Sequence, residues 1–194
     1  MPFHLLILAA GSFGHAVAGR LRRTFDAHVL PVDQGTHPSL WPHADLIVLA
    51  TDRERARLAE GVDYAAHAWR LPWFPVHLSA TEVHCGPVVV PGRTACHACY
   101  VKRRAQHGRA PEQGEQAPSG YPEHHVGIAA AFARQAIEEA RAEPDPGTLG
   151  ATVRRFGQVD GITQAGPVVA VDRCPRCRTR GEQELWELFE GVGA

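Results

Sequence analysis

The chain has 194 residues, a formal net charge of −1 and 44% hydrophobic residues, which suits one domain with a sizeable core. Because its charges nearly balance, we expect neither a basic surface for nucleic acid nor a polybasic segment for anionic membranes. The apolar start HLLILAAGSFGHAVAG has no basic flank and is interrupted by glycines, so it predicts a buried strand and a turn and not a signal peptide. No stretch has the length and apolarity of a membrane span, and a cytoplasmic location is expected.

The first half of the sequence alternates short apolar runs with helical segments. Residues 4–10 predict a strand that ends in glycines and leads into a helix. Residues 28–32 and 45–50 predict two more strands, and residues 53–61 predict the next helix. Strands that alternate with helices indicate a parallel sheet with crossover connections. We therefore predict an α/β fold, a Rossmann-like three-layer sandwich with a mainly parallel sheet.

The second half predicts further strands, a loop and a long helix. The β-type runs lie at residues 73–78, 85–90, 151–156 and 167–171. Residues 105–122 are rich in Gly, Pro, Gln and Glu, which is typical of a mobile loop. Apolar residues at helical spacing predict a one-sided helix over 124–142. We expect a single domain, 1–194, with a Rossmann-like half (1–78) and a second half (79–194) whose segments are held together by zinc.

The zinc prediction rests on two C-x-x-C pairs, Cys96 with Cys99 and Cys174 with Cys177. Each pair can offer two thiolates to one ion, so the two pairs supply the four sulfurs of a closed tetrahedral site. Because four thiolates leave no position for water, we expect structural zinc that joins distant segments. A redox-active dithiol is the alternative. The fifth cysteine, Cys85, lies in an apolar run and is expected to be a buried small hydrophobe.

A glycine turn, AAGSFG at residues 9–14, follows the first predicted strand and opens the first predicted helix. This is the context of a nucleotide-binding turn. Asp33 lies at the end of the second predicted strand, where an acidic residue can bind ribose hydroxyls. Gly11 and Gly14 can equally serve close packing of the helix on the sheet. The pattern is therefore explained by the fold alone or by a bound nucleotide.

Together these features resemble the E1-like superfamily of ubiquitin-activating and ThiF-type adenylating proteins. The shared features are the glycine turn, the acidic end of strand two, an LATD strand end, a loose loop and the two cysteine pairs. The stretch CGPVVVPGRTACHACYVKRR, residues 85–104, resembles more specifically the E1-like cyclodehydratase partner of thiazole/oxazole-modified peptide biosynthesis. The resemblance covers most of the chain and implies a single E1-like domain.

In adenylating members of the superfamily, the strand-two acid binds ribose, an Arg and a Lys neutralise the triphosphate, and a later Asp helps hold magnesium. Asp33 matches the first acid and Asp52 the last, but no Lys or Arg occurs between Thr24 and Asp52. Positioned positive charge is most of what such catalysis requires. Gly11, Gly14, Asp33 and Asp52 are thus nucleotide ligands only if a nucleotide is bound, and we do not expect ATP binding.

The resemblance implies a non-catalytic subunit in the biosynthesis of a ribosomally made, bacteriocin-type peptide. Such a subunit presents the precursor peptide to a separate, ATP-dependent YcaO-type cyclodehydratase, or activates that cyclodehydratase. The cyclodehydratase converts Cys, Ser or Thr side chains into azoline rings. Larger members begin with a winged-helix clamp for the leader peptide, whereas the first strand here starts at residue 4, so leader binding is expected elsewhere.

Two alternatives stay open. One is an ATP-dependent E1-like adenylating enzyme that uses Asp33 and Asp52 with arginines such as Arg53 or Arg103. The other is an NAD-dependent oxidoreductase, for which Asp33 would select NAD over NADP. An oxidoreductase of this kind does not explain why the chain has two C-x-x-C pairs. A homodimer is left open as well.

Partner contact is predicted for two segments, the loop 105–122 and the acidic tail GEQELWELFEGV at 181–192. Trp186, Leu188 and Phe189 give the tail an apolar side that either faces a partner or packs onto the core of this chain.

Overall fold

The computed structural model describes residues 3–108, 118–142 and 150–177. Within these ranges the chain forms a seven-stranded mixed sheet with the order β2-β1-β3-β4-β5-β6-β7. The strands are β1 (Leu5–Ala10), β2 (Ala27–Pro31), β3 (Leu46–Thr51), β4 (Trp73–Leu78), β5 (Glu82–Cys85), β6 (Val153–Gly157) and β7 (Thr163–Gly166). The helices are α1 (Gly11–Leu21), α2 (Ala56–Trp69), α3 (His97–Gln106) and α4 (Glu123–Arg141).

Strands β1 to β4 form the parallel part of the sheet, as predicted. β1 pairs with β2 on one side and with β3 on the other, and β3 pairs with β4. β1 (LLILAA) and β3 (LIVLAT) are buried along their whole length. Strands covered on both faces have this near-continuous apolar composition, because neither face meets water. The parallel strands predicted from the first half of the sequence are therefore found in the structure.

Helices cover both faces of the sheet and create two separate cores. On one face, Phe13 and Val17 of α1 and Ile137 of α4 pack against β1, β3 and β4. On the other face, Val62 of α2 packs with Trp73 and the opposite side chains of the same strands. Trp73 is fully buried, and burying a side chain of this kind contributes about 2 to 3 kcal/mol. The arrangement is a three-layer sandwich in this part of the chain.

The remaining strands differ from the prediction, because β5, β6 and β7 pair antiparallel with their neighbours. The predicted strand 85–90 is wrong beyond its first residue, and β5 ends at Cys85. Gly86 there has a φ of +108° and Pro87 follows it. Proline has no N–H with which to continue the ladder, so the chain leaves the sheet. The sheet is mainly parallel only from β1 to β4.

The strand predicted at 167–171 is also wrong. The last strand, β7, lies just before it and pairs with β6, with Thr163 opposite Phe156 and Gly166 opposite Val153. β7 is a polar, largely exposed edge strand, so hydrophobic periodicity does not reveal it.

Three other predicted segments can be placed. The long helix is confirmed as α4, while α2 continues to Trp69, beyond its predicted end at residue 61. Helix α3 runs to Gln106 and takes in the first residues of the predicted loop 105–122, of which 109–117 lie outside the described residues. The tail 181–192 lies outside them as well. In the described part of the chain, no helix has the length and apolarity needed to cross a membrane.

Candidate metal centre

The four paired cysteines converge on one point between the start of α3 and the segment that follows β7. Their four sulfur atoms all lie within 4.8 Å of one another. The Cys96 sulfur is 3.8 Å from those of Cys99 and Cys174, and the sulfurs of Cys99 and Cys177 are 3.6 Å apart. A tetrahedral site with Zn–S bonds of about 2.3 Å has sulfur–sulfur edges of about 3.8 Å. The donor set can therefore hold a tetrahedrally coordinated metal ion.

Each C-x-x-C pair has a sulfur that accepts a hydrogen bond from a backbone N–H in or next to the other pair. The Cys96 N–H donates to the Cys177 sulfur at 3.1 Å, and the Val171 N–H donates to the Cys99 sulfur at 3.3 Å. Hydrogen bonds of this kind stabilise the thiolate form and orient a ligand. Each C-x-x-C segment, called a knuckle from here on, thus helps to position a sulfur of the other knuckle.

The clustered thiols of Cys96, Cys99 and Cys177 differ in pKa because of the hydrogen bonds between them and because of burial. A hydrogen bond with Cys177 is the main cause that lowers the pKa of the Cys96 thiol to about 5. Burial raises the pKa of Cys99 to about 11, and the hydrogen bond with Cys96 raises the pKa of Cys177. Neighbouring thiolates repel each other, so ionising one opposes ionising the next. A divalent cation would supply the charge that lets all the sulfurs ionise together.

Asp63 of α2 connects this centre to the first half of the fold. Its carboxylate is almost completely buried, and one oxygen accepts hydrogen bonds from the Trp73 indole at 3.1 Å and the His97 backbone N–H at 3.4 Å. The other oxygen binds the Arg176 guanidinium at 2.5 Å, inside the second C-x-x-C pair. The sequence did not single out Asp63, since only the packed structure distinguishes a buried acid from an exposed one on an amphipathic helix.

A buried polar network lies beside the centre, at the end of β4. The rings of His77 and His84 stack with centroids 4.5 Å apart, and the Tyr100 hydroxyl lies 3.4 Å from His84 Nε2. Arg155 donates to the same hydroxyl at 3.4 Å. Burial, reinforced by the neighbouring His84, holds the pKa of His77 well below its ordinary value. The sequence does not reveal this network, because the antiparallel pairing of β4 with β5 brings the two histidines together.

The glycine turn brings together three of the residues predicted to bind a nucleotide. The Gly11 N–H donates to the Asp33 carboxylate at 2.8 Å, and His15 contacts the second oxygen of that carboxylate at 3.0 Å. These two contacts, with that of Gly11 the larger, lower the pKa of Asp33. Gly11 has a φ of +71°, and a Cβ there would lie 2.2 Å from the side chain of Asp52. Two carboxylates therefore flank the turn.

The fourth predicted residue, Gly14, has a packing role. A Cβ at Gly14 would lie 2.3 Å from the Ala50 carbonyl oxygen, so glycine lets α1 approach β3 closely. Nearby, the Arg55 guanidinium is paired with the Asp52 carboxylate at 3.3 Å. Arg103, proposed above as a substitute cation, instead donates to the backbone carbonyls of residues 169 and 170, on the approach to the second cysteine pair.

Cys85 lies away from this centre and is fully buried in the sheet. Burial raises the pKa of its thiol to about 12. A thiol in that state is a poor nucleophile, because the thiolate is the reactive form. The expectation of a buried, hydrophobic role for Cys85 is confirmed.

Comparison with known proteins gives matches among solved structures only. No protein-family model matches the sequence, and no curated protein matches it significantly. The heterocyclase TruD shares 21% identity with a TM-score of 0.63, over 93% of this chain and 28% of its own. A heterocyclase in complex with substrate and cofactor shares 17% identity with a TM-score of 0.63, over 91% of this chain and 25% of its own. E. coli MccB with MccA shares 16% identity with a TM-score of 0.61, over 90% of this chain and 66% of its own.

The chain thus spans about a quarter of the length of the two heterocyclases and about two thirds of MccB. At these identities the likeness concerns the fold. The described residues adopt the α/β fold that occurs in the heterocyclase TruD and in MccB. In this chain, four cysteines of that fold lie close together.

Proposed function

We propose that this protein is a non-catalytic, E1-like subunit in the biosynthesis of a ribosomally made, azoline-modified peptide. It docks to a separate, ATP-dependent YcaO-type cyclodehydratase and presents the precursor peptide to it. The observation that carries the proposal is the likeness to the heterocyclase TruD over 93% of the chain. The MccB structures that contain MccA support peptide handling by the same fold.

The glycine turn is the reason to propose a subunit without nucleotide chemistry of its own. In a nucleotide-binding turn, free N–H groups at the start of the helix receive phosphate oxygens. Here the Gly11 N–H is engaged by Asp33, and Asp52 lies against the same glycine. The nearby cation Arg55 is already paired with Asp52. A phosphate at this turn would therefore find the Gly11 N–H and the Arg55 guanidinium already engaged, which disfavours ATP binding.

We assign structural zinc to Cys96, Cys99, Cys174 and Cys177, on the fit of their four sulfurs to a tetrahedron. Zinc would supply the positive charge that keeps the thiolates together and would close the long loop between the two pairs. The chain's own contribution is twofold. Backbone N–H groups orient the sulfurs, and His97 of the first C-x-x-C pair and Arg176 of the second both bind Asp63.

The test is reconstitution with the YcaO-type cyclodehydratase and its precursor peptide, followed by mass spectrometry. We expect the loss of one water per azoline ring to require ATP, the cyclodehydratase and this protein together, and we expect the two proteins to co-purify. The Asp52→Asn variant should support the same rate as the wild type, since Asp52 takes no part in the chemistry. Full activity without this protein would contradict the proposal.

An adenylating enzyme remains the second candidate, because MccB structures that contain ATP have the same fold. Calorimetric titration separates the two functions. The subunit proposal expects no heat of binding with ATP and magnesium, and none with NAD. An adenylating enzyme would bind ATP and would lose that binding in Asp52→Asn.

A further inference from the structure

A cavity of about 760 Å³ lies between α3 and the β6–β7 hairpin, close to the cysteine cluster. We call it the α3–β7 cleft. Its lining side chains that can carry charge are all basic, namely Arg103, Arg104, His107 and Arg155, and none of the described residues that line it is acidic. The function proposed for this subunit does not assign a role to this cleft.

The arginines of the cleft differ in how far their charge is neutralised. Arg104 forms a close ion pair with Glu54 at 2.7 Å, whereas the carboxylate nearest to Arg155 belongs to Glu82, at 3.8 Å. Among the described residues, the recorded acceptors of Arg103 are two backbone carbonyls and the side-chain oxygen of Gln106, and none of them is a carboxylate. Carbonyl groups do not cancel a full positive charge, so Arg103 gives the cleft a net attraction for anions.

The wall opposite α3 is the last strand of the sheet. Gln164, Ala165 and Gly166 of β7 line the cleft, and β7 pairs with β6 along only one edge in the described part of the chain. Ile162 just before β7 is 53% exposed and Val169 just after it is 49% exposed. An edge strand bordered by exposed apolar side chains is a template for the addition of an extended peptide.

We propose that the α3–β7 cleft binds an extended peptide segment that carries an acidic side chain. The peptide backbone adds to the edge of β7 that pairs with no other described strand, and its carboxylate pairs with Arg103. A peptide fits better than a small anion because apolar residues such as Val153 and Val168 share the lining with the arginines. The inference rests on the proposed function for the source of the peptide, which would be the precursor substrate.

The test measures fluorescence anisotropy of labelled seven-residue peptides with the full, metal-loaded chain. The probe alternates Val and Glu, a second peptide replaces every Glu with Gln, and a third carries N-methyl groups on alternate amides. We expect the Glu peptide to bind about tenfold more tightly than the Gln peptide, since charge-assisted pairs are the stronger ones. The N-methylated peptide should bind about tenfold more weakly, because it cannot complete a strand ladder.

Variants of this protein locate the site. Arg103→Gln should weaken binding of the Glu peptide about tenfold, and Arg103→Lys, which keeps the charge but loses the planar fork, should weaken it less. Arg134→Gln on the exposed side of α4 is the matched control: it makes the same change in net charge and should bind like the wild type. Metal content must stay equal in all variants, since Arg103 also holds the segment that leads to the second cysteine pair.

Several results would overturn the inference. Equal binding of the Glu and Gln peptides, unchanged binding by Arg103→Gln, or no peptide binding at all would each reject it. Equal binding of the N-methylated peptide would reject strand addition to β7. Binding of ADP that depends on Arg103, without peptide binding, would reject it in favour of a nucleotide site. The assay contains no cyclodehydratase, so a negative result beside a successful reconstitution would reject the cleft and keep the proposed function.

Discussion

Arg176 donates to the buried carboxylate of Asp63 at 2.5 Å, although the two residues are 113 positions apart in the sequence. Asp63 belongs to α2, and Arg176 lies between the two cysteines of the second knuckle. The side chain of Asp63 is 2% exposed and that of Arg176 is 28% exposed. This ion pair therefore attaches the end of the described chain to the first half of the fold, at the same junction as the cysteine cluster.

Breaking this pair should destabilise the protein. Among the described residues, Arg176→Met leaves the buried Asp63 carboxylate with its hydrogen bonds from Trp73 and His97 but without its counter-charge. We therefore expect the free energy of unfolding to fall by about 2 kcal/mol. Urea denaturation of the metal-loaded protein measures it. Arg173→Met is the matched control, because Arg173 and its partner Asp172 are exposed, and exposed pairs contribute little. Equal effects of the two substitutions would contradict the proposed attachment.

Metal removal should unfold the second half of the protein. We expect one zinc ion per chain by elemental analysis, and a strong chelator should lower the melting temperature sharply, since the metal closes a long loop. Cys174→Ser should lose the metal. Cys85→Ala should keep it, because Cys85 is buried in the sheet and is not one of the four clustered cysteines. A fold that survives the chelator unchanged would refute structural zinc, and retention of metal by Cys174→Ser would refute the ligand set.

The glycine turn should tolerate no side chain at Gly11. Gly11→Ala would place a Cβ 2.2 Å from Asp52 at a φ of +71°, so we expect a loss of about 1 to 3 kcal/mol in unfolding free energy. Gly19 lies in the same helix with open space around it and no positive φ. Gly19→Ala should stabilise the protein by about 0.5 to 1 kcal/mol. Similar effects at both positions would mean that the close contact with Asp52 does not exist.

Stability should decrease as the pH falls below about 6.5, because His77 is buried and its pKa in the folded state lies well below the ordinary value of 6.5. Below that pH, His77 binds a proton in the unfolded chain but stays neutral in the folded chain, so protonation favours unfolding. His77→Gln should make urea-derived stability less dependent on pH between about 6.5 and 5. His28→Gln, at an exposed position of β2, should leave the dependence as it is. An unchanged slope in His77→Gln would show that His77 does not cause it.

The apolar runs of the first half were sufficient to predict the parallel strands. β1 and β3 are covered on both faces, and full burial demands a continuous hydrophobic sequence, which can be recognised without a structure. The edge of the sheet offered no such signal. β7 is largely exposed, and β5 is only four residues long and ends at a Gly-Pro pair. Antiparallel edge strands need not be apolar, so the predictions at 85–90 and 167–171 failed there.

The sequence by itself determined which residues could bind a metal, because only the two C-x-x-C spacings supply four thiolates. It also determined the glycine turn and the strand ends that carry Asp33 and Asp52. The tertiary structure alone decided that the two cysteine pairs meet, that Asp63 lies beneath them, and that both carboxylates face Gly11. These contacts join residues 22 to 113 positions apart. Local spacing carries no information about such distances, because packing of the helices on the sheet sets them.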